Sequence, residues 1–286
     1  MNPIDPALRI RSVELGVSDL ARSADFYQRV LGLPLIAVKG DSARLGPDRE
    51  NPALVLTAIA RPTPLTPRST GLYHVAWLHP SRATLAASVR RVAGEGWRFE
   101  GASDHGVSEA LYLSDPDGLG IEIYVDRPRE QWQRGPDGRG VDMLTLPLDL
   151  DDLLAQSSEP PTDAIDPASS VGHVHLKVAD VPRAAAFYGG TLGFEEQATL
   201  PSAAFLSAGG YHHHVGMNSW QSEGASAAAD SAPGLRLVEF ELGGPDALEA
   251  LERDFADEPS TPPVRGEDGA LSVRDPDGQL LAFTSP

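Results

Sequence analysis

The sequence predicts an α+β fold in which four βαβββ modules pair into two curved-sheet barrels. The chain contains a long internal repeat, since residues 12–33 align without a gap to residues 173–194 at an offset of 161 residues. A second repeat, the tetrapeptide Asp-Pro-Asp-Gly, occurs at 115–118 and again at 275–278. Repeats of this kind indicate duplicated structural units. The two halves of the chain are therefore predicted to be copies of each other.

Each half opens with a strand followed by a helix. Apolar residues alternate with others over 13–17 and over 174–178, a spacing typical of a half-buried strand. Asp19 or Ser18 in the first half and Asp180 in the second can cap the next helix, because their side-chain oxygens accept hydrogen bonds from free backbone N–H groups. A Phe-Tyr pair supplies the apolar face of that helix, and a Leu-Gly step ends it.

Each half then starts a second module. New strands are predicted at 71–78 and at 234–242, each followed by a helical stretch and by two short strands joined at the Asp-Pro-Asp-Gly turn. We therefore predict modules one and two in a first domain, 1–130, and modules three and four in a second domain, 171–286. Residues 131–170 are the predicted linker, because they are rich in Pro, Gly, Asp and Ser and show no clear periodicity.

The composition excludes several classes of protein. With 41% apolar and 22% charged residues among 286, the chain has the profile of a folded globular protein. It has no cysteine, so any metal must be held by nitrogen and oxygen ligands. A net charge of −18 disfavours nucleic acid and anionic membranes as partners. Because the sequence shows neither an apolar run of eighteen residues nor a signal-peptide layout, we expect a cytoplasmic location.

The histidines indicate a metal site. Side chains alternate between the two faces of a strand, so His173 and His175 share the concave face of their strand, as His74 and Glu122 do on theirs. Two imidazoles and one carboxylate form the facial arrangement that suits non-haem iron(II) and leaves positions open for substrate and oxygen. We predict His74, Glu122 and His173 as metal ligands, His175 as a neighbour of the site and His79 as a loop residue.

The predicted ligands also determine how the modules pair. The two sets that each half could offer alone are Ser12, His74 and Glu122, and His173, Leu237 and Ala282. Serine is a weak ligand and leucine and alanine are none, so neither set is complete. Pairing module two with module three completes the site, and modules one and four then form a metal-free barrel. A dimer in which these modules meet between chains is the alternative.

These features resemble the vicinal oxygen chelate superfamily. The resemblance rests on the opening H-V-x-L-x-V-x-D, F-Y and L-G-F positions and on the closing D-P-D-G-x-x-x-E strand, and it covers most of the chain. It implies a glyoxalase-like fold. The superfamily includes glyoxalase, antibiotic-resistance binding proteins and the type I extradiol dioxygenases that open catechol rings.

Two further segments resemble the two-domain extradiol dioxygenases. In the signature of that family a histidine, a tyrosine and the metal-binding glutamate lie along one hairpin, and onto it fall His105, Tyr112 and Glu122. The tract that begins at Tyr211 is similar to the segment carrying the family's acid–base histidine. That role is assigned to His213 or His214, since a histidine titrates near neutral pH.

The resemblance implies an iron(II)-dependent extradiol ring-cleaving dioxygenase that uses O2 as co-substrate and acts on catechol or a related dihydroxylated aromatic. Manganese(II) is the alternative metal, and a homo-oligomer is left open. A glyoxalase-type lyase or isomerase would need a second glutamate, but the residue equivalent to Glu122 in module four is Ala282. A metal-free drug-binding resistance protein would need a cleft but no ligand set, so the intact set disfavours it.

Overall fold

The chain is organised around two eight-stranded sheets. The computed structural model describes residues 2–136, 138–157, 162–256 and 262–286. The prediction of an α+β fold built from paired βαβββ modules is confirmed within these ranges. Part of the predicted linker, Asp137 and residues 158–161, lies outside the described residues.

The first sheet is formed by modules one and four. In spatial order its strands are β14 (Val264–Arg265), β15 (Leu271–Arg274), β16 (Leu280–Thr284), β13 (Gly234–Glu241), β1 (Arg9–Val17), β4 (Leu54–Ala58), β3 (Ser42–Leu45) and β2 (Leu35–Lys39). Modules two and three form the second sheet. Its strands, again in spatial order, are β10 (Glu195–Leu200), β11 (Ala203–Ser207), β12 (Val215–Asn218), β9 (Ser170–Lys177), β5 (Gly71–His79), β8 (Gly120–Asp126), β7 (Ser108–Ser114) and β6 (Gly101–Asp104).

The described residues also form five α-helices. They are α1 (Leu20–Arg29), α2 (Arg82–Gly94), α3 (Leu150–Ala155), α4 (Val181–Ala185), which continues as a π-helical segment (Ala186–Thr191), and α5 (Pro245–Ala256). Asp19 and Asp180 cap α1 and α4 as predicted, each accepting a hydrogen bond from a backbone N–H three residues later. None of the helices in the described ranges is long and apolar enough to cross a membrane.

The two halves of the chain meet strand to strand. β5 of module two pairs with β9 of module three, and β1 of module one pairs with β13 of module four, both antiparallel. The predicted pairing of modules two and three is thus found within one chain. The assignment of domain boundaries at 1–130 and 171–286 stays a prediction.

Alternation along the strands separates core from cleft. Ile121 and Ile123 on β8 lie in the main apolar core, together with Val174 on β9. Glu122 and Tyr124 point to the opposite side of the same sheet, which is the concave face. Burial of the odd-numbered apolar residues against the helices therefore leaves the even-numbered polar residues of β8 facing the cleft.

The repeated motifs contact each other between the sheets. The hydroxyl of Tyr27 on α1 donates to Asp115 at 3.3 Å, and the hydroxyl of Tyr188 donates to Asp275 at 3.1 Å. Each of these aspartates opens an Asp-Pro-Asp-Gly turn. The helix of one module is thereby linked to the closing hairpin of the next, and these contacts connect the two sheets.

Candidate metal centre

Three buried side chains converge at the middle of the second sheet. His74 on β5, Glu122 on β8 and His173 on β9 are at most 5% exposed. The Nε2 atoms of His74 and His173 lie 2.8 Å and 3.0 Å from the same Glu122 oxygen, Oε2. Donor atoms of all three side chains lie within 4.8 Å of one another, close enough to share one ion. Among the described residues, this is the one such group of histidine and carboxylate side chains.

A bulge in the sheet aims one ligand into the cleft. In the β5–β9 ladder Leu72 pairs with Leu176 and His74 pairs with His175, so Tyr73 is an extra residue on β5. A bulge of this kind redirects the side chains beside it. Tyr73 and His74 consequently both line the cleft, although strict alternation would place only one of them there.

The protonation state of these groups suits a metal ligand set. Burial alone would raise the pKa of Glu122, but the neighbouring His173 and His74 imidazoles lower it well below its ordinary value. Burial lowers the pKa of His173 to about 4, although Glu122 opposes that shift. At neutral pH the group therefore offers a carboxylate and a neutral imidazole nitrogen, the forms that bind metals. His74 Nε2 is buried, and its polar neighbour among the described residues is Glu122 Oε2 at 2.8 Å.

His105 and Tyr112 form a hydrogen-bonded pair beside this group. Tyr112 on β7 lies directly across from Glu122 in the ladder with β8. Its phenol oxygen is 2.7 Å from His105 Nε2, and His105 Nδ1 is 2.6 Å from the carbonyl oxygen of Leu144. A carbonyl can only accept, so Nδ1 carries a proton, and in that tautomer of the imidazole the Tyr112 hydroxyl donates to Nε2. Burial raises the pKa of Tyr112, which keeps it a hydrogen-bond donor.

The histidine tract precedes β12, and its three imidazoles have different environments. His213 lines the cleft, and its ring centroid is 4.0 Å from that of His173. His213 Nδ1 is 2.8 Å from Nδ1 of His212, whose Nε2 is 2.8 Å from Asp126 Oδ1. His214 lies outside the cleft lining, and its Nδ1 accepts a hydrogen bond from the backbone N–H of Ala208. Of the two candidate acid–base histidines, only His213 therefore reaches the cleft.

Two other histidines, His175 and His79, have surroundings that indicate a role in packing. His175 lies on the cleft face as predicted, and its Nε2 accepts a hydrogen bond from the Asn218 amide at 3.0 Å. Its ring occupies the space where a side chain on Gly216 would begin, since a Cβ there would lie 2.8 Å from His175 Nδ1. The prediction that His79 lies in a loop is wrong, because it is the buried last residue of β5. Its burial on the core side lowers its pKa to about 3.

The cleft above the ligands has a volume of about 310 Å³ and largely apolar walls. Phe205 and Leu200 contribute from module three, and Met143 and Leu144 contribute from the predicted linker. Trp220 at the rim is 54% exposed. Such a cavity, in which polar side chains converge within a largely apolar surface, is typical of a site for a small organic molecule.

The linker is part of the cleft wall, which sequence reasoning missed. The backbones of Leu146 and Asp104 exchange two hydrogen bonds of 2.9 Å, which extends the edge of the sheet at β6. Later in the segment, α3 is held against α2 by an ion pair between Arg82 and Asp152 at 2.7 Å. The apolar run beginning at Met143 was the signal that this segment could pack against the protein.

The βαβββ modules and their curved sheets define the vicinal oxygen chelate class. A family model described as the Glyoxalase/Bleomycin resistance protein/Dioxygenase superfamily matches residues 9–123 and 170–283, so the chain belongs to this superfamily. The predicted resemblance is thereby confirmed.

Known relatives of the chain include dioxygenases and lyases. It is 40% identical to a catechol-2,3-dioxygenase of Bacillus subtilis (strain 168) over 238 residues, which cover 82% of this chain and 83% of the relative. A lactoylglutathione lyase of Escherichia coli O157:H7 is 27% identical over 128 residues, 42% of this chain and 94% of the lyase. The first relationship confirms the prediction that the chain is an enzyme of the dioxygenase type.

Solved structures show the same fold. A protein described as a dioxygenase from Bacillus subtilis superposes with a TM-score of 0.65 at 14% identity, covering 99% of this chain and 86% of that one. Glyoxalase I from Zea mays superposes with a TM-score of 0.57 at 17% identity, covering 96% of this chain and 92% of that one. At these identities the likeness concerns the fold alone.

Proposed function

We propose that this chain is an iron(II)-dependent extradiol dioxygenase that cleaves the ring of catechol or a closely related aromatic diol. The convergence of His74, His173 and Glu122 at the base of an apolar cleft is the observation that carries the proposal. His74, Glu122 and His173 would hold the iron(II), which would supply the redox chemistry that couples the diol to O2, and both oxygen atoms would enter the ring-opened product.

The proposed role of His213, together with His212 and Asp126, is to move the substrate proton. Nε2 of His213 has no hydrogen-bond partner among the described residues, so it can accept a proton from a diol hydroxyl in the cleft. The Nδ1 proton of His213 can then pass to Nδ1 of His212, whose positive charge the Asp126 carboxylate stabilises. Burial holds the pKa of His213 well below its ordinary value, so the imidazole is neutral before it accepts the proton.

His105 and Tyr112 are proposed to orient the substrate. Tyr112 lies beside Glu122 in the sheet, and His105 is fixed in one tautomer by the linker carbonyl of Leu144. A rigid pair of this kind presents hydrogen-bonding groups to the cleft with little loss of side-chain entropy on binding. The linker thereby supports the site as well as joining its two modules.

The charge of the cleft favours a neutral diol. No lysine or arginine is found among the described residues that line it, and Glu122 is the one carboxylate in that lining. A substituent carboxylate on the ring would be desolvated there without a partner, which is costly. The single glutamate also disfavours the glyoxalase-type alternative, which needs a second one.

Anaerobic loading with iron(II), followed by catechol and air, tests the proposal. We expect oxygen uptake with formation of a visible-absorbing ring-opened product, and we expect neither in Glu122→Ala. The value of kcat/KM for 4-methylcatechol should exceed that for 3,4-dihydroxybenzoate by at least about 10-fold. A protein that holds iron but takes up no oxygen with any of a panel of catechols and hydroquinones would contradict the proposal.

A further inference from the structure

A second cavity lies between the two sheets, apart from the metal cleft. Its volume is about 340 Å³, and its walls come from the first residues of β5 and β13 and from the Asp-Pro-Asp-Gly turn of module four. It shares no lining residue with the metal cleft among the described residues. Neither the sequence motifs nor the proposed reaction gives this cavity a role.

One wall of this cavity is lined by Lys177, a largely buried side chain that has no charged partner among the described residues. Lys177, at the end of β9, is only 7% exposed. Within the described part of the chain it has neither an ion pair nor a side-chain hydrogen bond. Burial lowers the pKa of its amine, and no acidic side chain offsets that effect. An ammonium group that is partly desolvated without a counter-charge gains from a nearby anion, so a ligand that neutralised it would bind favourably.

Two guanidinium groups add to the positive charge of the same walls. Arg236 Nη2 donates to the carbonyl oxygens of Asp230 and Ala232, and Arg274 Nη1 donates to the carbonyl oxygen of Gly278. Each guanidinium keeps N–H groups that the described residues do not bond. Backbone carbonyls fix these side chains without cancelling their charge.

The acidic side chains in the lining do not neutralise these cations. Asp277 already accepts from Arg183 at 2.7 Å and from the backbone N–H of Ala179 at 3.3 Å. Asp230 is exposed and forms no ion pair with Lys177 or Arg236 among the described contacts. In a chain with a net charge of −18, a cavity with this excess of cations is a distinct local feature.

We propose that this cavity binds a small oxyanion, either a carboxylate or a phosphate group, with the Lys177 ammonium as its principal partner. Arg236 and Arg274 supply additional N–H donors, since guanidinium groups match the geometry of both oxyanions. The site is independent of the proposed dioxygenase reaction. Its ligand is anionic, whereas the metal cleft favours a neutral molecule.

Thermal unfolding of the full chain in increasing inorganic phosphate or acetate, balanced with chloride at constant ionic strength, tests this site. A ligand of the folded state raises the midpoint in a saturable way. We expect such a rise in the wild type and in the control Lys39→Met. Lys39 is the other of the chain's two lysines, and it is exposed. In Lys177→Met the apparent affinity should fall roughly 10- to 100-fold, because a charged hydrogen-bond partner is lost.

The two anions and a second variant distinguish the outcomes. A response to phosphate alone identifies a phosphate site, and a response to acetate alone identifies a carboxylate site. In chloride, Lys177→Met should unfold at a higher temperature than the wild type, because it removes a partly desolvated charge that has no partner. Arg274→Gln should weaken the response independently. An equal rise in Lys177→Met and the wild type, or no rise beyond that in chloride, would overturn the proposal.

Discussion

The imidazole Nε2 of His105 lies 2.7 Å from the phenol oxygen of Tyr112 on the wall of the metal cleft. The Leu144 carbonyl accepts from Nδ1 of the same ring, so Tyr112 is the donor in the pair. This pair joins the predicted linker to the strand that lies beside Glu122. Removing the Tyr112 hydroxyl is the smallest substitution that tests the site.

Replacing Tyr112 with phenylalanine removes this one hydrogen bond and little else. We expect kcat to fall about 10-fold, the effect of losing roughly one hydrogen bond, with iron content unchanged. Tyr73→Phe is the matched control, because Tyr73 also lines the cleft and its hydroxyl has no partner among the described residues. Steady-state rates and iron analysis measure both. If Tyr112→Phe turns over at the wild-type rate, Tyr112 serves packing only.

The histidine tract offers two adjacent variants with opposite expectations. His213→Asn should keep its iron and lose about 10²- to 10⁴-fold in turnover, because the proton-accepting group is gone. His214→Asn should keep most of its turnover, since that side chain lies outside the cleft lining. Asp126→Asn should fall between them by weakening the charge stabilisation of His212. Loss of iron from His213→Asn would instead make His213 a metal ligand.

The ligand set predicts the metal content of the chain. We expect about one iron per chain, abolished in each of His74→Ala, Glu122→Ala and His173→Ala, because each removes one of three donors. Ser12→Ala should retain the metal, since Ser12 lies in the other sheet and donates to Glu239 at 2.7 Å. Elemental analysis of anaerobically loaded protein measures this. Two metals per chain, or iron retained without His173, would contradict the assignment.

The buried turn aspartates should give the stability a pH dependence. Burial raises the pKa of Asp275 to about 6, above the ordinary value of an aspartate, so the folded state holds this proton more tightly than the unfolded state. Its contribution is therefore present at low pH and is lost as pH rises through about 6, by at most roughly 3 kcal/mol.

The Asp275→Asn variant isolates this effect. The free energy of unfolding of the wild type, measured relative to Asp275→Asn in urea, should decrease between pH 4 and pH 6. Asp268→Asn, at an exposed aspartate of the same module, should show a nearly constant difference. A wild-type advantage over Asp275→Asn that grows with pH would reverse the assigned direction of the pKa shift.

Local sequence patterns determined much of this architecture. Alternation over β8 predicted that Ile121 faces the core and that Glu122 faces the cleft, because side chains on a strand have a period of two residues. Ligand chemistry then predicted the pairing of modules two and three, since Leu237 and Ala282 cannot bind a metal. The internal repeat, together with the second strand predicted in each half, indicated four modules.

Tertiary structure determined the features that do not follow the periodicity of a strand or a helix. The bulge that turns Tyr73 into the cleft depends on how β5 and β9 fit together, and the packing of Leu144 against His105 depends on the path of an irregular linker. His213 rather than His214 is the candidate acid–base residue, because the loop before β12 places only the His213 imidazole in the cleft lining. Such contacts join residues that are distant in sequence, and their geometry is determined by packing between elements, which local composition does not encode.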